Sequence, residues 1–258
     1  MANPALSNNP AFRNTAPVSA ADLDALYARP AATGAEMNRM TYEDTAVKTV
    51  VLFAVLLVGA AVGWFVPGLA IVGALVGFVL AMVNTFKRQP SVPLILGYAA
   101  FEGLFLGGLT GIIEAQLPGT AIEALTATLV TVGVTLALFA SGRIRASARA
   151  TKIFLIAFVA YFVFRLVELV VQLVGGTHSN FGLSDSIHVF GIPLGVLIGV
   201  LAVLLAAYSL VLDFDQIQQG VRRGLPAKYG WTGAFGIMVT VVWLYVEFLR
   251  IFAILNRR

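Results

Sequence analysis

From residue 46 onward the chain alternates long apolar runs with short polar breaks. The runs fall at about residues 46–66, 69–86, 93–113, 120–140, 153–174, 187–212 and 230–255, each close to the roughly 20 residues that carry a helix across about 30 Å of hydrocarbon. They are continuous and rich in Ala, Leu, Val and Gly, whereas the strands of a transmembrane barrel alternate over segments of about 10 residues. The expected fold is therefore an all-α integral membrane protein, a bundle of seven transmembrane helices over residues 43–258. Pro67-Gly68 is so short a break that the second span must double back at once. Residues 1–42 are rich in Asn, Pro, Ala and Ser and carry both charge signs. They lack the basic start and apolar core of a cleavable signal peptide, and are expected to form a disordered cytosolic tail.

Composition agrees: 59% of the 258 residues are hydrophobic and 12% charged, well beyond the roughly 45–50% apolar content of soluble domains. The net charge of +4 belongs to a membrane surface rather than to nucleic acid, for which no basic domain exists. Cations gather in the breaks after the second, fourth and sixth runs, including Arg143, Arg145, Arg149 and Lys152 with no acid among them. The positive-inside rule then sets the N-terminus in the cytoplasm and, after seven full crossings, the C-terminus outside. Asn256-Arg257-Arg258 argues the other way, so a re-entrant sixth or seventh segment is the alternative. Abundant Ala, Val and Gly, and Arg in excess of Lys, point to a bacterial cytoplasmic membrane. There is no Cys, hence no disulfide, thiolate metal site or Cys nucleophile.

Ionisable groups at membrane depth are costly, and mark ion paths, proton relays or counter-ions. The candidates are Glu102 in the third span, Arg165 and Glu168 in the fifth, Asp213 and Asp215 ending the sixth, and Glu247 and Arg250 in the seventh. Small residues spaced by four mark faces where helix backbones approach closely: Gly103, Gly107 and Gly111 in the third span, Gly191, Gly195 and Gly199 in the sixth. At about 100° per residue, Asp213 lies near the direction of the sixth-span ridge and Asp215 nearly opposite it, while Glu247 falls within roughly 40° of the Gly230–Gly233–Gly236 face. Two inward carboxylates on consecutive helices suit a proton-sharing, pH-responsive pair, or a site for a hard cation such as calcium, which takes several oxygen ligands in loose geometry. Alternatively, Asp213 caps or breaks a helix at the water boundary and Glu247 pairs with Arg250 at i,i+3. Tyr161, Arg165, Glu168 and Gln172 form one polar stripe on the fifth span. It faces a bundle interior or wet cavity, or is an internally neutralised pair that serves helix association. Glu102 points away from its glycine ridge, toward a partner that the sequence does not name.

Several activities lose support. The lysines are Lys48, Lys87, Lys152 and Lys228, all at span ends, which leaves none for a retinal Schiff base. There is no His-Glu-x-x-His, Gly-x-Ser-x-Gly or phosphate-loop motif, and Asp213 lacks the Gly-x-Gly-Asp setting of intramembrane aspartyl proteases. His178 and His188 flank a loop as interfacial residues. The chain is not expected to be an enzyme, nor to hold a tight cofactor.

Leu212-Asp213-Phe214-Asp215-Gln216-Ile217, Trp243-Leu244-Tyr245-Val246-Glu247-Phe248 and Tyr98-Ala99-Ala100-Phe101-Glu102-Gly103 together resemble the Bax inhibitor-1 family, whose bacterial members include YccA-like proteins. The resemblance covers residues 40–258 and leaves the N-terminal tail aside. It implies a pH-sensitive calcium leak in which Asp213 and Glu247 share a proton in the closed form, with calcium as a transported or weakly held ion. Asp213 and Ile217 match the family pattern, Glu247 stands where Asp is usual, and Asp215 stands where many members have Gln, so Asp215 either joins Asp213 and Glu247 as a candidate cation ligand or lies in solvent. Glu102, Arg165, Glu168 and Arg250 are candidates to line or gate the path. The YccA-like branch also implies a competing role, a partner or modulator of a membrane protease with no ion flux. The expected partners are thus the lipid bilayer, calcium ions, protons and another integral membrane protein.

Overall fold

The computed structural model describes residues 38–87, 89–174 and 187–257. The tail at 1–37, Arg88, the polar loop at 175–186 with His178, and Arg258 lie outside the described residues.

Seven helices follow one another: α1 (Tyr42–Phe65), α2 (Leu69–Phe86), α3 (Val92–Gln116), α4 (Thr120–Ala140), α5 (Ala148–Leu173), α6 (Leu194–Arg222) and α7 (Gly230–Leu255). All are long and apolar enough to cross a membrane, as the hydropathy pattern predicts. With 29 residues in α6 and 26 in α7, neither segment needs to be re-entrant. Their ends follow local chemistry. The Thr41 hydroxyl accepts from the Asp44 amide to start α1, and Ser147 does the same for Ala150 at the start of α5, each satisfying a first-turn donor that has no intrahelical partner. The Glu114 carboxylate accepts from the amides of Gly119 and Ala121 at 2.7 and 2.8 Å, closing the turn between α3 and α4.

Several expected bounds shift. α1 begins at Tyr42 rather than 46, and residues 38–41, assigned to the tail, are fixed: Met40 is buried, its amide donates to Leu225 O, and the Ala227 amide donates to Asn38 O. α5 starts at Ala148, ahead of 153. The largest change is in α6, expected over 187–212. Residues 188–193 instead form a hairpin, β1 (His188–Val189) paired antiparallel with β2 (Ile192–Pro193). Its turn, Phe190-Gly191, has positive φ at both positions, 53° and 80°, the conformation that suits the right-handed twist of paired strands. Gly191 therefore belongs to a turn and not to the α6 ridge. At its other end α6 runs ten residues past 212, to Arg222, so Asp213 and Asp215 sit inside a helix instead of capping one. Hydropathy reports where the membrane stops, while the helix continues.

α7 lies at the centre. In its spanning window 56% of residues are buried inside the protein, against 6% for α5, which packs chiefly on α6. α1 and α3 are pressed together along the expected glycine ridge: a methyl group at Gly107 would lie 1.9 Å from Ala60 O, so only glycine permits that approach. The outer faces of α2 and α5 expose Ile, Leu, Val and Phe side chains, the surface a bilayer covers.

Candidate functional site

The α6–α7 seam carries two polar stations. The first lies toward the end of the bundle that holds the basic loops. Asp213 accepts a 2.7 Å hydrogen bond from the Thr240 hydroxyl, which lies 3.3 Å from the Ser209 hydroxyl. Gly236 makes room for the carboxylate: a Cβ there would stand 3.1 Å from Asp213 Oδ1. A vestibule of about 350 Å³ opens beside it, lined among others by Met40, Lys87, Ile217, Gly220, Tyr229 and Thr232. Met40 reaches this wall because residues 38–40 are strapped to the α6–α7 connection, where Arg39 bridges Pro226.

The second station is a charge cluster joining α5 and α7. Glu247 is 2% exposed. Its Oε1 accepts a short hydrogen bond from the Tyr161 hydroxyl and lies 3.5 Å from Arg165 Nη2, and its Oε2 accepts from Arg250 Nη2 at 2.9 Å. Arg165 Nε donates to Tyr161 at 3.2 Å and Nη1 to Glu168 at 2.7 Å. Tyr161, Arg165 and Glu168 of the α5 stripe thus face protein, and two of them, Tyr161 and Arg165, meet Glu247, while Gln172 is exposed. Both sequence readings of these residues find their contacts: the i,i+3 pairs Arg165–Glu168 and Glu247–Arg250 are made, and an interhelical ion pair joins them. Buried charges are tolerated where they are paired and hydrogen-bonded in this way.

The structure does not join Asp213 to Glu247. Each has its own partners, and Thr240, which holds Asp213, is seven residues from Glu247 on α7, a rise of about 10 Å. Helical-wheel arithmetic gives both acids a similar direction, but an angle around the axis says nothing of height along it. Between these heights Ala206, Leu210 and Leu244, each 0% exposed, pack against one another. The expected joint cation site of Asp213, Asp215 and Glu247 is likewise not assembled. Asp215 turns away and accepts from Gln219 at 2.6 Å, and among the described residues no three His, Cys, Asp or Glu side chains converge as a metal site would require.

Glu102 sits apart from both stations, its carboxylate packed on α2 where a Cβ at Gly77 would lie 2.9 Å from Oε2. Thr240 and Ser209 are the members the sequence reading missed. Thr240 stands one turn beyond Gly236 on the same face, so continuing the glycine face would have found it. Ser209 lies inside the expected sixth span, one turn before Asp213, and its role becomes visible only once Thr240 of α7 is seen beside it.

A family model described as Bax inhibitor 1 like matches residues 3–257. The match takes in the N-terminal segment that the motif resemblance left aside. No curated protein matches the chain.

Proposed function

The chain belongs to the Bax inhibitor 1 like family, and from that premise we propose that it is a pH-sensitive calcium leak channel whose path follows the α6–α7 seam. The observation that supports this best is the vestibule ending on Asp213, with Thr240 and Glu247 continuing the same face of α7. Calcium favours carboxylate, hydroxyl and carbonyl oxygens, and the seam offers such oxygens at two heights. The basic end is the cytoplasmic one by the positive-inside rule, in a bacterial cytoplasmic membrane with the N-terminus inside. A cation entering from that side meets Asp213 first. The apolar contact of Ala206, Leu210 and Leu244 blocks its way to Glu247, so the described conformation is the closed form.

The proton enters the reading differently from a shared-proton pair. Asp213 and Glu247 act as two stations in series: protonating Asp213 removes the charge that draws a cation into the vestibule, and protonating Glu247 releases the Arg165 guanidinium that ties α5 to α7 and the Arg250 guanidinium beside it. Each event changes electrostatics at one end of the same seam, and the two helices transmit it as relative movement.

Calcium flux into liposomes containing the purified protein, followed across a pH series, tests the reading. The wild type should show pH-dependent flux that Asp213→Asn and Glu247→Gln each alter. Flux unchanged in both variants rules the reading out. Silent liposomes together with a copurifying membrane protease would support the competing binding role.

A further inference from the structure

The mechanism above uses Arg250 only as one of two counter-ions, yet its surroundings differ sharply from those of Arg165. Arg165 has a separate partner for each nitrogen, Tyr161 at Nε, Glu168 at Nη1 and Glu247 at Nη2, and its side chain is 26% exposed. Arg250 is 7% exposed, and among the described residues its Nε and Nη1 have no hydrogen-bond partner. Leaving donors unpaired in a buried place is costly, and a side chain kept there for bonding would use them. What Arg250 does supply is a positive charge at one point, through Nη2 alone.

That point is where two oxygens converge. Nη2 lies 2.9 Å from Glu247 Oε2 and 3.5 Å from the carbonyl oxygen of Gly195 in the first turn of α6. Beside it the side chain of Ile251 fills the space left by Gly199, where a Cβ would stand 2.5 Å from Ile251 Cγ1 and 3.7 Å from Nη2. A carboxylate oxygen and a backbone carbonyl are ligands a hard cation takes. The guanidinium thus occupies the place, and carries the charge, of a cation in transit. Resting on the leak reading, we propose that Arg250 is a tethered counter-ion that closes the path by holding Glu247 Oε2 and Gly195 O against the permeating cation.

The loose attachment follows from this role. A counter-ion bonded at every donor would not leave, whereas one held by a single short ion pair can be exchanged for a mobile cation when the cluster shifts. Arg165, bonded on three sides, stays as the fixed brace of α5. The two arginines at Glu247 therefore divide the work, one holding and one yielding.

The test uses the full chain in calcium-loaded liposomes at a pH where the wild type is closed. Arg250→Ala should raise calcium efflux on the order of tenfold, because Glu247 Oε2 is left to the cation while Arg165 still holds Oε1. Methylguanidinium added to the medium should suppress that extra efflux by filling the space, and leave wild-type efflux as it is. Adding Glu247→Gln to Arg250→Ala should abolish the increase. Should Arg250→Ala fail to give a monodisperse protein, Arg250→Gln, which keeps a polar stem but is shorter and uncharged, carries the same expectation. If the wild type conducts and is pH-sensitive while neither Arg250 variant leaks more, this inference is overturned and the leak reading stands. An Ala variant whose leak ignores methylguanidinium overturns it as well. A wild type that never conducts removes the leak reading, and this inference with it.

Discussion

Asp213 keeps one neutral hydroxyl against a single oxygen and opens on a vestibule, whereas Glu247 has both oxygens engaged by two guanidinium groups and a phenol. Both are inward acids on one seam, and by composition they are near equivalents. The difference shows that burial of a carboxylate does not define its role. Asp213 borders an open cavity and meets one rotatable hydroxyl, so its charge can change with little rearrangement. Glu247 is the electrostatic anchor of three side chains from two helices, and its charge cannot change without moving them.

The sharpest way to break that contrast is to remove the anchor. Glu247→Ala leaves Arg165 and Arg250 without their shared partner, and should cost about 3–5 kcal/mol, the price of a buried pair reduced to one unpaired charge; unfolding in detergent followed by circular dichroism measures it. Removing one of the two cations should do less. Arg165→Met is expected to destabilise by about 1–3 kcal/mol, the range of charged hydrogen bonds lost at one group, and to lower the protection of α5 amides in hydrogen exchange more than those of α3. At the other station the effects are small. Gly236→Ala puts a methyl 3.1 Å from Asp213 Oδ1, a crowding worth about 1 kcal/mol, visible as a modest drop in melting temperature. Asp213→Asn keeps the shape and a hydrogen bond with Thr240, and should change stability by less than about 1 kcal/mol. Were Asp213→Asn to destabilise as much as Glu247→Ala, the two acids would not differ in kind.

The seven spans are legible because continuous apolar runs in a 258-residue chain leave no other architecture, and the bilayer enforces helices on any such run. The ends of α6 are not legible, since Gly191 reads as part of a ridge until the hairpin is seen, and the polar turns after Leu212 look like a loop although their backbone remains helical. At the site, the pairs Arg165–Glu168 and Glu247–Arg250 can be read directly because i,i+3 neighbours share a face. The bond from Tyr161 to Glu247 and the contact of Arg165 with the same acid need the relative height of α5 and α7, which only packing decides. The separation of Asp213 from Glu247 is of the same kind: period gives direction around a helix, and the vertical offset between helices is set by loops and by tertiary contacts that have no local signature.

The strap at Asn38–Met40 has a consequence for how the protein is made. Lys48 Nζ donates to Ala227 O at 2.7 Å across 179 residues, and Met40 bonds to Leu225, so α1 is fastened to the connection that precedes α7. Synthesis delivers α1 first and α7 last. The first helix enters the bilayer, docks on α3 through the glycine contact, and still lacks the neighbour that clasps its base until the final helix arrives. Contacts of such sequence separation form late and slowly. A chain cut short by even one helix therefore has an open seam at its base.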